Sequence, residues 1–528
     1  MNFNRKYLSP TVCLLAGMLY ALGFPTFFGA SVFLAPIIGF ALFNWALDQE
    51  TSLKKQFGLS LMYSLGFYLF GFYWIPHTLQ EFGGLFFPVN QLLGLLFSFV
   101  IIPQVYCYVV LKKYIKHPVF LAVGYVLLER FVPQQFPAHL GHPFLSLAPT
   151  IKLVFAPWAG APFYSFLTAF IALTLVQHKM TKQKPKLYYG FIAVVLFLHL
   201  PFLYPTKSAE NLTPLKIRLV QPNIGNFLKI DSERGEVNSI KSVLDSYYFL
   251  STDGIVTKRD LIIWPETAFP NLFFSETFKA DHKLLLPPVI RDIITKTGAE
   301  LFMGGYDATV AATNDQSYQS DFNSAFHFSN QNYMKDVYHK MHLIPFGEGL
   351  PFGPFNKFLS GIITNISYFA EGDTYTGFKT DSNLKFVSVI CYEVLFPSFV
   401  ADMLNNQKEE AQFMINLTND SWYGDTAEPH QHLFLSKWRA LEFNLPLIRS
   451  TNTGITTVIF PDGSESKRLS VGEKTYLDVD LEIAPRTKTL FQIFGIWSFL
   501  SIALVLLLIE LAFKRKAFFQ EIMKTDKA

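Results

Sequence analysis

Eight long apolar runs constrain this chain more than any other feature of its sequence. An α-helix needs about 20 apolar residues to cross the roughly 30 Å hydrocarbon core of a bilayer. We therefore expect a multi-pass α-helical membrane domain of about eight transmembrane helices, seven in residues 1–205 and the eighth in residues 490–513. The runs lie at residues 8–26, 28–47, 57–76, 84–111, 117–132, 155–176, 187–205 and 490–513.

The first run also has the basic start of a signal peptide, in Arg5 and Lys6. No small-residue cleavage site follows it, and the apolar character continues to Ala46. We therefore interpret this run as a transmembrane helix.

Basic residues on the short loops predict the orientation of these helices, because lysine and arginine are retained on the cytoplasmic side. The loop at 77–83 has none, whereas on an eight-helix path all the basic clusters fall on the opposite side. We expect both termini, including the tail at 514–528, in the cytoplasm and residues 206–489 outside it. The clusters are Arg5/Lys6, Lys54/Lys55, Lys112/Lys113/Lys116, Lys179/Lys182/Lys184/Lys186 and Lys514/Arg515/Lys516.

The composition agrees with a chain that is only partly in lipid. Of the 528 residues 16% are charged, against about 25% in soluble domains, yet the mean hydropathy of +0.26 is modest. A net charge of +3, carried in short basic clusters, excludes an extended nucleic-acid-binding face. Two of the three cysteines, Cys13 and Cys107, lie in apolar runs, which argues against a disulfide framework and leaves Cys391 as the thiol of the soluble segment.

Between the seventh and eighth runs the pattern changes to short β-type segments separated by polar stretches, which indicates an α/β domain. Several segments end directly in polar groups, at Glu266, at Cys391-Tyr392-Glu393 and at Asn419-Asp420. Active-site groups commonly lie at such carboxyl ends of strands. The predicted strands are 215–221, 261–264, 300–304, 386–390, 412–417, 446–460 and 475–481.

No Gly-rich phosphate loop and no zinc-type Cys/His spacing occurs in the chain. The pairs His339/His342 and His430/His432 lack a third ligand nearby in the sequence. We expect neither a metal nor a cofactor.

Cys391 is the candidate nucleophile, and a free thiol needs a neighbouring base or cation because its pKa lies near 8.5. Glu266 can accept the thiol proton, and Lys340 can hold the oxyanion that forms on an attacked carbonyl. Glu348, after the stiff segment 344–347, can orient Lys340 or cap its own loop. Each residue also has a plainer interpretation, as an inert buried cysteine or a surface ion pair.

Four stretches occur together in the order expected of one known superfamily: WPETAFP, YHKMHLIPFGEGLP, ICYEVLFP and NLTNDSWYGDTAEPHQH. They resemble the nitrilase superfamily, whose fold is an αββα sandwich. Further stretches at 19–27, 72–84, 127–143 and 439–463 resemble the bacterial apolipoprotein N-acyltransferase family, over nearly the whole chain. The resemblance implies a membrane base of several helices carrying an extracytoplasmic nitrilase-like α/β domain in the bacterial inner membrane.

The resemblance also implies roles for individual residues. Glu266 is then the general base, Lys340 the oxyanion stabiliser and Cys391 the acylated residue. Glu348, Tyr392 and Glu393 match further residues that the family needs. One departure is Ile230, which stands where the family often has a tryptophan.

The implied reaction moves a fatty acyl chain from a phospholipid, through a Cys391 thioester, to the α-amino group of a lipoprotein's diacylglyceryl cysteine. Phe273 and Phe274, and the stripe of Phe352, Phe355 and Phe358, are candidates for lipid-contacting loops or for ordinary core packing. The competing interpretations are a membrane-tethered amidase with the same triad and a catalytically inactive scaffold that binds lipoproteins.

Overall fold

The computed structural model describes residues 5–26, 29–81, 84–181, 186–204, 211–281, 284–308, 321–345, 347–349, 353–356, 358 and 368–508. The part before residue 205 is helical. Its α-helices are Arg5–Ala21, Leu34–Asp48, Leu53–Gly71, Ile75–Glu81, Val89–Phe97, Gln104–Tyr114, Pro118–Phe131, Ala156–Thr181 and Lys186–Leu198. Short 3-10 helices follow at His142–Leu147 and Pro201–Leu203.

Each of the eight predicted runs contains helix, but four of them are interrupted or kinked. In the run at 155–176 the helix Ala156–Thr181 is kinked at Gly160, whose φ is +65°. The run at 84–111 divides into Val89–Phe97 and Gln104–Tyr114, with Pro103 in the break, where a proline lacks the N–H that a continuous helix would use. The run at 57–76 bends by 64° between the helices Leu53–Gly71 and Ile75–Glu81. The last run is interrupted at Gly495, whose φ is +52°, between the helices Leu490–Phe494 and Ile496–Leu508.

Among the described residues one helix, Ala156–Lys179, is long and apolar enough by itself to cross a membrane. The bent pair Leu53–Gly71 and Ile75–Glu81 makes a second when it is counted as one span. Shorter apolar helices are Ser9–Ala21, Leu34–Asp48, Tyr188–Leu198 and Ile496–Leu508. The count of eight spans, their orientation and the domain boundaries stay predictions, and the tail at 514–528 lies outside the described residues.

From residue 213 to 483 the chain forms two β-sheets. In the first sheet the strand order is β12-β1-β2-β4-β5-β6, with β3 beside β4, and in the second it is β11-β10-β9-β8-β7. The strands are β1 Thr213–Gln221, β2 Leu261–Ile263, β3 Phe269–Phe273, β4 Glu300–Ala308, β5 Asp321–Phe328, β6 Met334–His339, β7 Gly377–Lys379, β8 Lys385–Ile390, β9 Phe413–Thr418, β10 Leu447–Thr451, β11 Thr457–Ile459 and β12 Thr475–Ile483.

The two sheets pack face to face, as the contacts of Phe302 on β4 with Phe378 on β7 and Phe386 on β8 show, with ring centroids 5.0 and 5.3 Å apart. Helices cover both outer faces and complete the expected αββα order. They are Asn226–Glu233, Val237–Thr252, Ser275–Ala280 and Pro288–Thr297 with the first sheet, and Pro397–Asn405 and Glu428–Phe443 with the second.

Strand direction explains why the candidate residues meet. Strands β1, β2 and β4 are mutually parallel, as are β8, β9 and β10. Two successive antiparallel pairings, β4 with β5 and β5 with β6, make β6 run in the same direction as β4. The residues that follow β2 and β6 therefore lie at one end of the first sheet, and those that follow β8 and β9 at one end of the second. The hydrogen bond from the Asn419 N–H to Glu266 joins these two ends, and the candidate site is built there.

Candidate active site

Lys340 lies at the centre of the site, immediately after β6, and its side chain is fully buried. Its Nζ donates to Glu266 Oε1 at 3.2 Å and to the Glu348 carboxylate at 2.8 Å. Burial alone would lower the pKa of Lys340, but the two carboxylates outweigh burial and hold that pKa above its usual value. The site therefore contains a permanent ammonium group between two acidic side chains.

Both oxygens of the Glu266 carboxylate are fixed by donors. Oε1 also accepts from Asn323 Nδ2 at 2.8 Å, and Oε2 accepts from the backbone N–H of Asn419 at 2.8 Å. Asn323 Nδ2 reaches Glu348 Oε1 as well, at 2.9 Å. Gly304 on β4 allows this approach, since a Cβ there would lie 2.6 Å from the Glu266 Cα.

Cys391 follows β8 and opens a 3-10 turn at Cys391–Leu395. Its φ of +50° is in the left-handed region, which a non-glycine residue adopts only when its surroundings hold it there. Burial raises the pKa of the Cys391 thiol well above its usual value, and the Glu266 carboxylate raises it further against the opposing effect of Lys340. The resting thiol is therefore protonated and needs a base before it can attack.

Glu393 fastens the Cys391 turn to the segment that carries Lys340. Its Oε2 accepts from the Ile390 N–H at 2.7 Å. Its Oε1 accepts from the Tyr338 hydroxyl at 2.8 Å and from the N–H groups of Met341 at 2.8 Å and His342 at 3.0 Å. Burial raises the pKa of Glu393 to about 7. The residue is fully buried, so it positions its neighbours and does not face substrate.

Glu348 and Tyr392 also lie beside the site. Glu348 Oε2 accepts from the backbone N–H of Ile344 at 3.0 Å, which closes its loop around Lys340. Tyr392 points the other way, and its hydroxyl donates to the backbone carbonyl of Gln135 in the helical half. Glu348 therefore bonds both to Lys340 and to its own loop, and its role in the chemistry stays a prediction.

Three further side chains at the site were not singled out from the sequence: Asn323, Asn416 and Arg449. Asn323 joins Glu266 to Glu348, as described above, and Arg449 pairs with Asp420 at 3.0 Å. Asn416 lies within β9, and its Nδ2 is 3.5 Å from the Cys391 carbonyl oxygen. Their only sequence signal is position, since Asn416 shares a segment with Asn419 and Asp420, and Arg449 lies in the family-like stretch at 439–463.

Asp420, Glu428 and His432 bring ligand-type atoms within 4.8 Å of one another, which is a spacing that can hold a metal ion. Asp420, however, is already paired with Arg449 at 3.0 Å and bonded to His432 Nδ1 at 3.2 Å. Because the Arg449 guanidinium supplies the positive charge that a cation would bring, we describe these side chains as a hydrogen-bonded cluster.

The candidate lipid-contacting residues divide into two groups. Phe355 and Phe358 are exposed, at 69% and 70% of their surface. Phe273 instead packs in the core against the rings of Phe269 and Phe326, at centroid distances of 4.9 and 4.8 Å, so lipid contact does not fit it. The list is completed by Phe274, which is half-buried, and by Phe352, which lies outside the described residues.

Ile230, the departure from the family pattern, lies on helix Asn226–Glu233 and is half-buried. A small pocket lies between this helix and Glu266. It is lined by Ile224, Lys229, Tyr247, Glu266, Thr267 and Asn452, among others.

Two family models match the chain. Residues 250–488 match the carbon-nitrogen hydrolase model, and residues 16–174 match the model of the apolipoprotein N-acyltransferase N-terminal domain. The two models together cover most of the α/β domain, including the candidate site, and most of the helical half.

Curated relatives match over nearly the full length. The apolipoprotein N-acyltransferase of Bdellovibrio bacteriovorus is 29% identical over 503 residues, covering 88% of this chain and 87% of its own. Those of Rickettsia prowazekii and Haemophilus influenzae are 27% and 26% identical, covering 95% and 98% of this chain and 98% and 97% of their own.

Solved structures similar to the chain include Nit3 of Saccharomyces cerevisiae, described as a member of branch 10 of the nitrilase superfamily. It is 16% identical, with a TM-score of 0.35, covering 52% of this chain and 93% of its own. An amidase of Nesterenkonia is 18% identical, with a TM-score of 0.34, covering 53% of this chain and 93% of its own.

Proposed function

The chain belongs to the apolipoprotein N-acyltransferase family, and from that premise we propose that it transfers a fatty acyl chain from a phospholipid to the N-terminal amine of a lipoprotein. The observation that carries the proposal is the placement of Glu266, Lys340 and Cys391 in one buried cluster. The protonated thiol has a fixed carboxylate and a permanent cation as neighbours, which are the base and the electrophilic stabiliser that acyl transfer requires.

In the first step Glu266 accepts the Cys391 proton as the sulfur attacks the ester carbonyl of the phospholipid. Lys340 stabilises the negative charge that develops on the carbonyl oxygen. When the carbon–oxygen bond of the ester breaks, Glu266 returns the proton to the leaving alcohol. The products are a lysophospholipid and a thioester on Cys391.

In the second step the α-amino group of the diacylglyceryl cysteine attacks the thioester. Glu266 takes a proton from the attacking nitrogen, and the Cys391 sulfur leaves as the thiol when that proton reaches it. An amide forms and the enzyme returns to its starting state. Since the two substrates bind in turn to one site, the kinetics are ping-pong.

The acceptor follows from the protonation of amines. An α-amino group with a pKa of about 7.7–8.0 is on the order of one-tenth neutral at pH 7, whereas a lysine near 10.4 is neutral in well under about one molecule in a thousand. A thioester awaiting an amine also needs protection from water. Cys391 is 4% exposed, which supplies that protection.

We place the helical half in the bacterial inner membrane, with both termini cytoplasmic and the α/β domain on the outer side. The basic clusters on one set of loops support this orientation. Both substrates carry acyl chains, so they reach the site along the membrane surface. Exposed Phe355 and Phe358 are candidates for contact with those chains.

The test is to incubate the full chain in nanodiscs with radiolabelled phosphatidylethanolamine and to analyse the peptide that contains Cys391 by mass spectrometry. We expect an acyl adduct on Cys391 that persists in buffer and disappears when a diacylglyceryl peptide is added. Cys107, which is exposed in the structure, serves as the internal control and is expected to stay unmodified.

Two outcomes would contradict the proposal. Loss of the adduct to water alone, at the rate seen with the peptide, would identify a hydrolase. The absence of an adduct from a protein whose Glu266 and Lys340 are intact would favour a lipoprotein-binding scaffold.

A further inference from the structure

Arg449 is a buried charge that the proposed mechanism does not use. It lies on β10, between β11 and β9 in the second sheet, and its side chain is fully buried. One end of its guanidinium, Nη2, pairs with Asp420 Oδ2 at 3.0 Å. The other end, Nη1, donates to Asn416 Oδ1 at 2.7 Å. One rigid planar group therefore holds two points of one segment, Asn416 within β9 and Asp420 just after it.

The Asp420 end of this contact leads to the base. Asp420 follows Asn419, whose backbone N–H donates to Glu266 Oε2 at 2.8 Å. Asp420 cannot shift freely, because its second oxygen is bonded to His432 Nδ1 at 3.2 Å. Gly454 packs so closely that a Cβ there would lie 2.0 Å from Asp420 Oδ2. The orientation of the Asn419 N–H, and with it of Glu266, therefore depends on Asp420.

The Asn416 end leads to the nucleophile. Asn416 Nδ2 is 3.2 Å from the carbonyl oxygen of Val389 and 3.5 Å from that of Cys391. Val389 lies near the end of β8, and Cys391 is the residue with positive φ that follows this strand. Because Arg449 bonds to Asn416 Oδ1, it also fixes the amide orientation in which Asn416 Nδ2 points towards the Cys391 carbonyl oxygen.

We propose that Arg449 is a positioning residue that sets the Glu266 base and the Cys391 nucleophile relative to each other, through Asp420 and Asn416. This inference deepens the proposed acyl transfer and rests on it. Arg449 touches neither substrate. It acts by fixing the position of Glu266 relative to Cys391 and by neutralising the charge of Asp420 beside the thiol.

The charges around the thiol predict the sign of the effect. Asp420 raises the pKa of the Cys391 thiol, while Arg449 faces Asp420 and counters its charge. Removal of Arg449 leaves Asp420 uncompensated, so deprotonation of the thiol moves to higher pH. The groups that face this cluster are Glu266, Lys340, Glu348, Asp420, Tyr423, Glu428 and His432.

The test measures iodoacetamide alkylation of Cys391 against pH in the full chain, by peptide mapping, together with the rate of acyl adduct formation from phospholipid. For Arg449→Met we expect the alkylation midpoint to rise by about one pH unit and acylation to slow about 100-fold. The double variant Arg449→Met/Asp420→Asn removes both charges but does not restore the Arg449 hydrogen bonds. We therefore expect its alkylation midpoint to return to the wild-type pH while acylation stays slow. Arg449→Lys keeps the positive charge but cannot bond to Asp420 and Asn416 at the same time. We therefore expect the alkylation midpoint to stay unchanged and the acylation rate to fall by about tenfold.

The matched control is Arg218→Met. Arg218 is an equally buried arginine paired with an aspartate, Asp478, at 2.8 Å, on strands remote from the site. We expect its removal to lower the melting temperature and to leave the alkylation midpoint unchanged.

The inference is overturned if Arg449→Lys and the double variant, both folded, acylate at the wild-type rate. It is also overturned if the alkylation midpoint of Arg449→Met is the same with and without the Asp420→Asn substitution. Alkylation needs no lipid substrate, so it separates this inference from the proposed function. If wild-type Cys391 is alkylated normally but forms no acyl adduct, the proposed acyl transfer is wrong. The effect of Arg449 and Asp420 on the alkylation midpoint is measured in either case.

Discussion

The helical half and the α/β domain supply different kinds of group to the place where they meet. From the α/β domain come charged and amide side chains that bond to one another around Cys391. From the helical half come mainly backbone carbonyl oxygens. Gln431 Nε2 donates to the carbonyls of Pro25 at 2.8 Å and Gly71 at 2.7 Å, and Trp438 Nε1 donates to that of His142 at 3.2 Å.

The location of these carbonyls explains the difference. Gly71 ends the helix Leu53–Gly71, and the last carbonyls of a helix have no partner within it. A buried carbonyl without a partner is unfavourable by about 1–3 kcal/mol, so side chains of the α/β domain are needed to satisfy it. The α/β domain therefore holds the chemistry, while the hydrogen bonds that join the helical half to it use mainly backbone carbonyls, with the Trp74 indole as an exception.

The largest expected effect distinguishes the fully buried Lys340 from Lys335, a half-buried lysine of the α/β domain. Lys340→Met removes the cation that joins Glu266 to Glu348, and we expect acyl adduct formation on Cys391 to fall by about 10³-fold. Lys335→Met is the matched control, since Lys335 lies on β6, the strand that Lys340 follows, and also pairs with two carboxylates, Glu300 at 3.2 Å and Asp381 at 3.0 Å. It should retain activity.

Breaking a buried ion pair lowers the free energy of unfolding by about 3–5 kcal/mol, so loss of folding must be distinguished from loss of chemistry. The double variant Lys340→Met/Glu348→Gln removes one of the two uncompensated charges and should recover melting temperature without recovering activity. Recovery of both would assign Lys340 a structural role only.

A second prediction concerns Glu393, which joins the Cys391 turn to the Lys340 segment. Its pKa is about 7 in the folded chain, against an ordinary value of 4.5, so the folded state binds more protons between these values. Stability from this group is therefore present at low pH and is lost as pH rises from about 4.5 to about 7, by roughly 3 kcal/mol. In Glu393→Gln this dependence is absent.

The measurement is the melting temperature of both proteins between pH 5 and pH 8, and the advantage of the wild type should shrink as pH rises. Glu300→Gln is the control, because Glu300 is as deeply buried but bonds to His327 and Lys335 away from the site. A wild-type advantage that stays constant with pH would mean that Glu393 is charged throughout.

Much of this site was predictable because strand ends leave a mark in the sequence. Glu266, Cys391 and Asn419 each follow a short apolar segment directly, and parallel strands bring such ends together. Lys340 was a candidate only for its charge and then by resemblance, because strand β6, which it follows, was not predicted. The sequence 334–339 is Met-Lys-Asp-Val-Tyr-His, whose polar residues hide the apolar pattern of a strand.

Other features depend on contacts between distant residues and leave no local signal. The segment around Arg449 does not distinguish it from a surface charge. In the structure it is buried against Asp420 and Asn416, which lie 29 and 33 residues earlier in the sequence. The predicted strand 446–460 divides into β10 and β11, which pair with each other in antiparallel fashion. Its turn at 452–456 contains Asn452 and Gly454, so turn-forming residues were present within the apolar run.

A third prediction tests the interface between the helical half and the α/β domain, called the seam below, at the contacts of Gln431 with Pro25, Gly71 and Trp74. Gln431→Leu removes the donor to the carbonyls of Pro25 and Gly71 and the acceptor of the Trp74 indole N–H. We expect the melting temperature to fall by several degrees, because unpaired buried polar groups are unfavourable by about 1–3 kcal/mol each. Activity should fall about tenfold at most, since no catalytic side chain is lost.

The control is Gln407→Leu. Gln407 also donates its amide to two carbonyls, those of Tyr375 at 3.2 Å and Met403 at 2.7 Å, but both lie within the α/β domain. If the two variants reduced activity equally, the seam would have no special relation to the site.

The smallest expected effect concerns the exposed phenylalanines, and it decides whether the α/β domain also contributes to membrane contact. Phe355→Ser/Phe358→Ser removes apolar surface that is already in contact with solvent, so stability should stay within about 0.5 kcal/mol of the wild type. If these rings hold acyl chains, the KM for phospholipid in vesicles should rise about threefold to tenfold while kcat stays unchanged, because only binding is lost.

Phe249→Ser is the matched control, as Phe249 is 58% exposed on helix Val237–Thr252 and outside the candidate lipid-contacting loops. An equal KM in all three proteins would assign lipid capture to the helical half alone. A rise confined to the Phe355/Phe358 variant would mean that the α/β domain meets the membrane through its own side chains, in contrast to the carbonyl contacts by which it meets the helices.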